Sequence, residues 1–191
     1  MTFWGDFSMK VLLHTCCGPC GIGFLDGWRC DGYEMPDLLW HNPNIHPYME
    51  YKHRKNAVMD FAKQYGLDVV MDDHYGLNDF VGATFDQQAQ QAQQAQRCKI
   101  CYEMRMNITA ARAAKLNYTH FSTTLLASPW QKFDMICEAG EAAAKSHGVV
   151  FVVKDYRDGY RAAKQKATRQ MGLYMQKYCG CIFSEYERYN S

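Results

Sequence analysis

Seven of the nine cysteines in this chain stand in three short clusters that could hold a metal. The clusters read His-Thr-Cys-Cys-Gly-Pro-Cys, Arg-Cys-Lys-Ile-Cys and Tyr-Cys-Gly-Cys, in that order along the chain. Thiolates repel one another, so gathering many of them requires a cation, and soft thiolates select iron–sulfur clusters, zinc or copper(I). We therefore expect the three clusters to meet in the fold as one metal centre. The predicted ligands are Cys16, Cys17, Cys20, Cys98, Cys101, Cys179 and Cys181.

The number of clustered thiols bears on the kind of metal. A structural zinc site is complete with four ligands, whereas a [4Fe–4S] cluster uses four and leaves three for a second metal or for redox chemistry. Seven thiols favour the iron–sulfur centre, with a zinc site and spare buried thiols as the alternative. The spacing does not divide the seven between two centres. Of the other two cysteines, we expect Cys137 to be buried on a helix and Cys30 to have no role.

Composition limits the class of protein. A chain of 191 residues with 48% hydrophobic residues can bury the core of a single domain. It has no apolar run of the roughly 20 residues that span a bilayer, and residues 1–10 lack a signal-peptide pattern. We therefore expect a cytoplasmic location, where thiols stay reduced, and no membrane partner. A formal net charge of +1 neither requires nor excludes a nucleic-acid partner.

Short apolar runs alternate with helical patterns along the chain. This alternation predicts a single α/β domain over residues 1–191, with three layers and a mostly parallel, Rossmann-like five-stranded sheet. Residues 1–8 are expected to be an extension and the Gln-rich stretch 87–96 an insertion, within a region from residue 72 where the pattern is weak. The predicted strands are 10–14, 37–41, 67–71, 121–126 and 149–153. Predicted helices follow the first cysteine cluster, cover about 48–65 before Gly66, begin near 97 and near 133, and cover 160–171 before Gly172.

The unusual motifs all follow predicted strands. The first cysteine cluster follows strand one, residues 42–47 (Asn-Pro-Asn-Ile-His-Pro) follow strand two, Ser128-Pro129 follows strand four, and Lys154-Asp155 follows strand five. Ligands bind at the carboxyl ends of the strands in open parallel sheets. The sequence therefore predicts the metal site at that edge of the sheet. Neither common glycine-rich phosphate-binding motif occurs, so no nucleotide cofactor is predicted.

Two basic stretches could contact RNA. One covers residues 52–55, directly after the proline-bounded loop, and the other covers 154–169, where six positive charges oppose two negative ones. Basic side chains grouped near a site can hold a phosphate backbone. The alternative is that both stretches are ordinary charged helix faces in solvent.

Taken together, the motifs resemble the cobalamin-independent epoxyqueuosine reductase family. The resemblance extends over nearly the whole chain, with the motifs in the same order, and one departure is Met175, where a basic residue would be expected. The matching segments are 11–20 (Val-Leu-Leu-His-Thr-Cys-Cys-Gly-Pro-Cys), 42–48, 97–101, 121–129, 159–161 and 172–181 (Gly-Leu-Tyr-x-Gln-x-Tyr-Cys-Gly-Cys).

The resemblance implies the last step of queuosine synthesis, in which epoxyqueuosine at the wobble position of a tRNA anticodon loses its epoxide oxygen. It implies a [4Fe–4S] cluster with an additional iron beside it, which the family holds with cysteines and an acidic residue. In this chain the implied ligands are the seven clustered cysteines, and the electrons come from an external donor of unknown identity. The candidate proton donors are His14, His46, Asp155 and Tyr178. The candidate substrate-binding residues are Asn42, Asn44, His46, Tyr48, Arg54, Ser128, Arg157, Tyr160 and Arg161, with Tyr48, Trp130 and Tyr174 as possible stacking platforms.

Two other functions are alternatives to the reductase. A zinc-stabilised, non-enzymatic RNA-binding module would be colourless and without redox activity. An iron–sulfur tRNA thiolase on a similar sheet would need a nucleotide-phosphate loop such as Ser-Gly-Gly-x-Asp-Ser after strand one. Cys-Cys-Gly-Pro-Cys occupies that place in this chain, which disfavours the thiolase.

Overall fold

The computed structural model describes residues 9–84 and 94–190. The predicted extension 1–8 and most of the predicted insertion lie outside these residues, although 94–96 begin a helix. Five parallel strands form one sheet in the order β3-β2-β1-β4-β5. The strands are β1 (Val11–His14), β2 (Asp37–Trp40), β3 (Val69–Met71), β4 (His120–Thr123) and β5 (Val150–Phe151).

Helices cover both faces of the sheet. Successive residues of β1 point to opposite faces, and both sets are buried. Val11 and Leu13 belong to one buried cluster with Trp28 and Phe61, whereas Leu12 belongs to another with Met106. The predicted three-layer α/β fold is therefore confirmed. The helices are α1 (Gly18–Cys30), α2 (Tyr48–Tyr65), α3 (Leu77–Thr84), α4 (Gln94–Lys115), α5 (Phe133–His147), α6 (Tyr160–Gln165) and α7 (Ile182–Tyr189).

The strand order locates the natural binding crevice. The chain moves from β1 towards β2 and β3 on one side and towards β4 and β5 on the other, so the switch point lies between β1 and β4. The loop after β1 carries Cys16 and Cys17. A 3₁₀ turn over Thr124–Ala127 follows β4. The first cysteine cluster thus lies at the switch point, where the connections after β1 and β4 run in opposite directions and leave a crevice at the carboxyl edge of the sheet.

The main differences from the sequence predictions concern β4, the predicted helix 160–171 and two short helices. β4 ends at Thr123 rather than at residue 126, because the Thr123 hydroxyl accepts a hydrogen bond from the Leu125 amide and begins the 3₁₀ turn. The predicted helix 160–171 is α6 followed by a π-helical turn over Lys166–Gln170, which ends before Gly172 at φ +61°. The short helices α3 and α7 were not predicted.

Candidate metal centre

The first cysteine cluster is built into the core of the fold. Cys16 and Cys17 lie between β1 and α1, and Cys20 lies in the first turn of α1, which begins with Gly18 and Pro19. Their exposed fractions are 7%, 2% and 4%. Proline is favoured in the first turn of a helix because its missing N–H would have no helical partner there. The sheet and α1 therefore fix this three-cysteine group (Cys16, Cys17 and Cys20).

The other four cysteines come from α4 and from the C-terminal loop, residues 171–181, which precedes α7. Cys98 and Cys101 are one turn apart on α4, so their side chains share a face of the helix. Cys179 and Cys181 line one cavity together with these two cysteines, so the loop lies against that face. We call Cys98, Cys101, Cys179 and Cys181 the four-cysteine group.

Two neighbouring cavities separate the seven thiols. The larger, about 670 Å³, is lined by the three-cysteine group and Cys179. The smaller, about 120 Å³, is lined by the whole four-cysteine group. Both cavities include Asn44, Trp130, Gln131 and Cys179 in their walls. Within residues 9–84 and 94–190, no three His, Cys, Asp or Glu side chains stand close enough to hold one ion, so the thiols face the cavities without forming a closed shell.

The buried thiols favour their neutral form. A hydrogen bond with Cys17 and burial raise the pKa of Cys16. A hydrogen bond from Cys16 lowers the pKa of Cys17, but its contact with Cys20 and burial prevail and raise it to about 12. Burial raises the pKa of Cys98 to about 11 and that of Cys101 to about 12. A bound metal deprotonates thiols outright, so this soft donor set fits an iron–sulfur centre better than any role for free thiols.

One buried cation, Arg105, lies among the thiols. Its side chain extends from α4 and is 2% exposed. Nη1 donates to the Cys101 sulfur at 3.9 Å, Nη2 donates to Asn42 Oδ1 at 3.2 Å, and Nε donates to His14 Nε2 at 3.2 Å. Burial would lower the pKa of Arg105, but the nearby Cys101, Cys16 and Cys179 outweigh it, and the pKa is raised. In the part of the chain that the structure describes, no carboxylate lies within 4.0 Å of this guanidinium.

His14 is buried beside Arg105. Its Nε2 lies 3.2 Å from Nε of Arg105, which can only donate, and 3.2 Å from the His41 carbonyl, which can only accept. Its Nδ1 lies 2.9 Å from the Thr123 hydroxyl. Burial and the positive charge of Arg105 lower the pKa of His14 well below its usual value. His14, predicted as a proton donor, is thus neutral and fully buried, and it orients Arg105.

The second buried guanidinium, Arg54, fastens the C-terminal loop. Its Nε donates to the Glu50 carboxylate at 2.7 Å, and Nη1 and Nη2 donate to the carbonyls of Cys179 and Tyr178, both at 2.8 Å. Glu50 and Arg54 are 6% and 2% exposed. The Tyr174 hydroxyl also donates to Glu50. Arg54, predicted to bind substrate, lines the larger cavity, but it donates these hydrogen bonds to the protein itself.

The other predicted site residues fall into three sets. Asn44, Ser128, Tyr160 and Tyr178 line the larger cavity. His46 is buried beside it, with its amide donating to the Gly180 carbonyl at 2.7 Å and its carbonyl accepting from the Tyr178 hydroxyl at 2.7 Å. Asn42 is buried behind the site, where its Oδ1 accepts a hydrogen bond from Arg105. The remaining predicted residues lie away from both cavities: Asp155, ion-paired with Arg157; Tyr48, 55% exposed against Tyr75; and the exposed Arg161.

The mouth of the larger cavity is aromatic and basic. Trp130 is 80% exposed and borders both cavities. Lys164, Lys177 and Arg188 also line the larger cavity, and all three are exposed. Met175, which stands where a basic residue was expected, lies in the same wall. Positive charge therefore enters the rim from α6, the C-terminal loop and α7.

The residues at the site that the sequence analysis missed include Arg105 and Gln131, and both donate a hydrogen bond to a cysteine sulfur. Arg105 stands four positions after Cys101 on α4, and this helical spacing could have indicated a shared face. Gln131 donates to the Cys179 sulfur at 3.4 Å and accepts from the Tyr102 hydroxyl at 2.8 Å. No sequence pattern marked Gln131, because a single glutamine in a loop is usually exposed to solvent.

Comparison with known sequences gives one family over nearly the whole chain. The model of the family described as "Epoxyqueuosine reductase QueH" matches residues 11–187. The protein of that name from Dehalococcoides mccartyi is 38% identical over 184 residues, which cover 94% of each chain. The one from Thermotoga maritima is 33% identical over 187 residues, covering 93% of this chain and 91% of the relative. The one from Haemophilus influenzae is 31% identical, covering 94% and 73%.

Solved structures share the fold at low identity. A U34-tRNA thiolase, NcsA, from Methanococcus maripaludis, solved with its [4Fe–4S] cluster, aligns with a TM-score of 0.55 at 13% identity, over 94% of this chain and 64% of the thiolase. A predicted subunit of a tRNA methyltransferase from Methanocaldococcus jannaschii aligns with a TM-score of 0.52 at 16% identity, over 84% and 74%. At these identities the likeness concerns the fold. Among the described residues, no helix has the length and apolar character to cross a bilayer.

Proposed function

The chain belongs to the epoxyqueuosine reductase QueH family, and we propose that its seven clustered cysteines hold the metal centre at which the reduction takes place. The enzyme is an oxidoreductase that reduces epoxyqueuosine to queuosine in tRNA. Neither the zinc-stabilised RNA-binding module nor the tRNA thiolase is favoured by these relatives. A location where thiols stay reduced fits this donor set.

The reaction fixes what the site must receive. Both carbon–oxygen bonds of the epoxide break, a carbon–carbon double bond forms, and the oxygen leaves as water. This change consumes two electrons and two protons, and the electrons come from an external donor. When bound, a [4Fe–4S] cluster supplies one-electron transfer, and an iron beside it supplies a Lewis acid for the epoxide oxygen.

The observation that carries the proposal is the division of the thiols between the two cavities. The four-cysteine group lines the smaller cavity, and four thiolates are what a [4Fe–4S] cluster requires. The three-cysteine group is left in the larger, open cavity for the additional iron, which would keep positions for substrate. Cys179 borders both cavities, so the two centres would be neighbours. We assign the cluster to the four-cysteine group and the additional iron to the three-cysteine group.

The rim of the larger cavity is the proposed contact with the anticodon loop. Single-stranded RNA is bound by stacking unpaired bases on aromatic side chains and by placing its phosphates near lysine and arginine. Trp130 offers an 80% exposed aromatic side chain beside the cavity. Lys164, Lys177 and Arg188 surround the same mouth. The wobble nucleoside would enter the cavity between them.

We propose Tyr160 as the proton donor, in place of His14 and Asp155. His14 is held neutral behind Arg105, and Asp155 is kept ionised by the hydrogen bond and charge of Arg157, which lower its pKa. Burial raises the pKa of Tyr160 to about 12, so its hydroxyl keeps its proton, and it lies near the three-cysteine group. We expect Tyr160→Phe to lower kcat by about 10²- to 10⁴-fold, as for loss of a general acid, without changing the bound iron.

The test of the metal assignment is anaerobic reconstitution followed by iron, sulfide and zinc analysis. We expect about five irons and four sulfides in the wild-type protein. Cys101→Ser should lose the sulfide and the visible absorption, whereas Cys20→Ser should keep both and lose the additional iron together with activity on epoxyqueuosine tRNA. Cys137→Ser is the matched control, because this cysteine lies on α5 outside both cavities. One zinc without sulfide in the reconstituted wild type would contradict the proposal.

The test of the RNA contact compares two exposed aromatic residues. Trp130→Ala should weaken binding of an anticodon stem-loop by about 1–3 kcal/mol, the contribution of one stacked base. Tyr48→Ala serves as the control, because Tyr48 is also exposed but lies outside both cavities. Equal losses for the two variants would contradict the proposed mouth.

A further inference from the structure

We propose that Arg105 is the fixed positive charge of the metal centre, held between the two cysteine groups so that the bound cluster accepts electrons more readily. This inference rests on the proposed function, since it concerns the metal that the thiols would hold. It assigns a role to a residue that donates no ligand.

The first observation is that Arg105 is buried without a carboxylate partner. Its side chain is 2% exposed, and in residues 9–84 and 94–190 its hydrogen-bond acceptors are His14, Asn42 and the Cys101 sulfur. Burying a charge is costly unless an opposite charge compensates it. An anionic cluster of iron, sulfide and thiolate is the compensating charge that the surroundings can supply.

The second observation is the position of the guanidinium relative to the thiols. Arg105 interacts electrostatically with Cys101 and Cys179 of the four-cysteine group and with Cys16 of the three-cysteine group. It also lines the larger cavity. One side chain therefore lies within electrostatic reach of both proposed centres.

The third observation is that three separate elements hold the guanidinium in place. His14 ends β1, Asn42 follows β2, and Cys101 lies one turn before Arg105 on α4. The Asn42 side chain is itself fixed, because it donates to the Thr15 carbonyl at 2.9 Å while it accepts from Arg105. His14 is fixed by Thr123. Such a cradle holds the charge at one position, unlike a mobile surface arginine.

The consequence is electrostatic. Adding an electron makes a cluster more negative, and a nearby positive charge in a buried site stabilises that state more than the oxidised one. Net charge and hydrogen bonds near the sulfurs are among the factors that set cluster potentials. Removing the charge of Arg105 should therefore lower the reduction potential. In the protein without metal, the same removal should not lower stability, because the uncompensated buried charge is then absent.

The experiment compares Arg105→Gln, Arg105→Lys and the control Arg112→Gln. Glutamine can keep a hydrogen bond to Asn42 without the charge, and lysine keeps the charge without the planar fork. Arg112 is in the last turn of the same helix, is partly exposed and pairs with Asp72 at 2.7 Å. The midpoint potential of each reconstituted protein is measured by anaerobic redox titration, followed by visible absorption and electron paramagnetic resonance. The melting temperature of each metal-free protein is measured alongside.

We expect Arg105→Gln to reduce the equilibrium constant for one-electron reduction at least tenfold, which is 59 mV for a one-electron couple. Arg105→Lys should shift it much less, and Arg112→Gln should not shift it. A wild-type potential in reconstituted Arg105→Gln would overturn the proposal. So would a potential in Arg105→Lys that falls as far as that in Arg105→Gln.

Failure to load metal also gives an answer. If metal-free Arg105→Gln melts like the wild type but takes up no sulfide while Arg105→Lys does, the centre requires the charge and the proposal stands. If neither folded variant takes up sulfide, the shape of arginine rather than its charge is required, and the proposal is overturned. If the wild type itself takes up no iron and sulfide, the metal assignment fails first, which the wild-type analysis reveals separately.

Discussion

The three-cysteine group and the C-terminal loop face the same cavity, but the chain holds them by different means. The three-cysteine group lies between β1 and α1, and its side chains are buried by the packing of the sheet. The C-terminal loop, residues 171–181, has no helix or strand, and Cys179 is exposed. One wall of the site, the three-cysteine group, is therefore formed by the packed core. The other wall, the C-terminal loop, is held against that core by side-chain and backbone contacts.

Leu173, near the start of the loop, is buried in the core, and polar contacts attach the other end of the loop. Arg54 donates to the carbonyls of Tyr178 and Cys179, the His46 amide donates to the Gly180 carbonyl, and the Tyr178 hydroxyl donates to the His46 carbonyl. Regions with few buried apolar contacts open at lower free energy than the core. We therefore expect the end of the loop, with Cys179 and Cys181, to open while the sheet and the three-cysteine group persist.

The largest effect is expected from Arg54→Met. The change leaves Glu50 buried without its cation and leaves two loop carbonyls without their donor. Breaking a buried pair costs about 3–5 kcal/mol, so the free energy of unfolding, measured with urea, should fall by about that amount. Sulfide uptake should fall as well, because Cys179 and Cys181 lose their anchor.

The double variant Glu50→Gln, Arg54→Met separates the two consequences. It removes the stranded carboxylate, so the free energy of unfolding should partly recover, but the two carbonyls remain without a donor and sulfide uptake should stay low. Recovery of both quantities together would contradict the view that Arg54 fastens the loop independently of the core.

The next largest effect is a decrease in the free energy of unfolding in acid, caused by the buried side chain of His46. This side chain is fully buried between the rings of Tyr75 and Phe80, and neither ring nitrogen has a hydrogen-bond partner among the described residues. Burial lowers the pKa of His46 to about 4. The unfolded chain therefore takes up this proton first as the pH falls below about 6.5, and stability decreases by up to about 1.4 kcal/mol per pH unit down to about pH 4.

His46→Phe tests this expectation on the metal-free protein. The variant cannot titrate at this position, so the free energy of unfolding should fall less steeply between pH 6.5 and 4 than in the wild type. Burial also lowers the pKa of His14 and His41, so some slope should remain. Hydrogen exchange should show that acid opens the C-terminal loop before the sheet in the wild type. Equal slopes in the two proteins would contradict the role of His46.

A matched pair of glycine substitutions sharpens the contrast between the two walls. In Gly21→Ala the new Cβ would lie 2.6 Å from Cζ of the buried Phe61, which overpacks the contact between α1 and α2 at a cost of about 1–3 kcal/mol. Gly180 has φ +136°, so alanine there is strained by about 1–3 kcal/mol, and its Cβ would lie 3.2 Å from Nη1 of Arg54.

The two variants should differ in which property falls. Gly21→Ala should lower the melting temperature of the metal-free protein, because the strained contact lies in the core. Gly180→Ala should leave that melting temperature closer to the wild type and lower sulfide uptake instead. Normal uptake in Gly180→Ala would show that the loop adapts to a strained backbone and is held less tightly than its contacts indicate.

The wall formed by the core is also the part of the site that the sequence predicts best. Short apolar runs predicted all five strands, and the helical stripe ending at Gly66 gave the bounds of α2, because burial and periodicity are local signals. The error at β4 has the same origin, since Leu125 and Leu126 continue the apolar run but the Thr123 cap turns the chain. The convergence of cysteines on one edge followed from the parallel sheet.

The C-terminal loop was predicted only in part. The cysteines of the loop were recognised, but α7 and the contacts of Arg54 with the loop were not, because a hydrogen bond between residues more than 120 positions apart leaves no local pattern. Arg105 was missed for a related reason. An arginine in a helix usually lies at the surface, and only the assembled sheet, with His14 and Asn42 behind it, reveals a buried one.

The smallest effect is expected from Tyr178→Phe, and it decides what this tyrosine does. The variant loses one hydrogen bond to the His46 carbonyl, worth about 1 kcal/mol, while its ring can still lie against Arg54. If Tyr178 only fastens the loop, cluster loss on exposure to a chelator should quicken by about fivefold and kcat should stay near the wild-type value. A fall in kcat of about 10²-fold or more, with iron and sulfide unchanged, would instead identify Tyr178 as a proton donor. The C-terminal loop would then supply chemistry as well as ligands, and the difference between the two walls would be one of function as well as of construction.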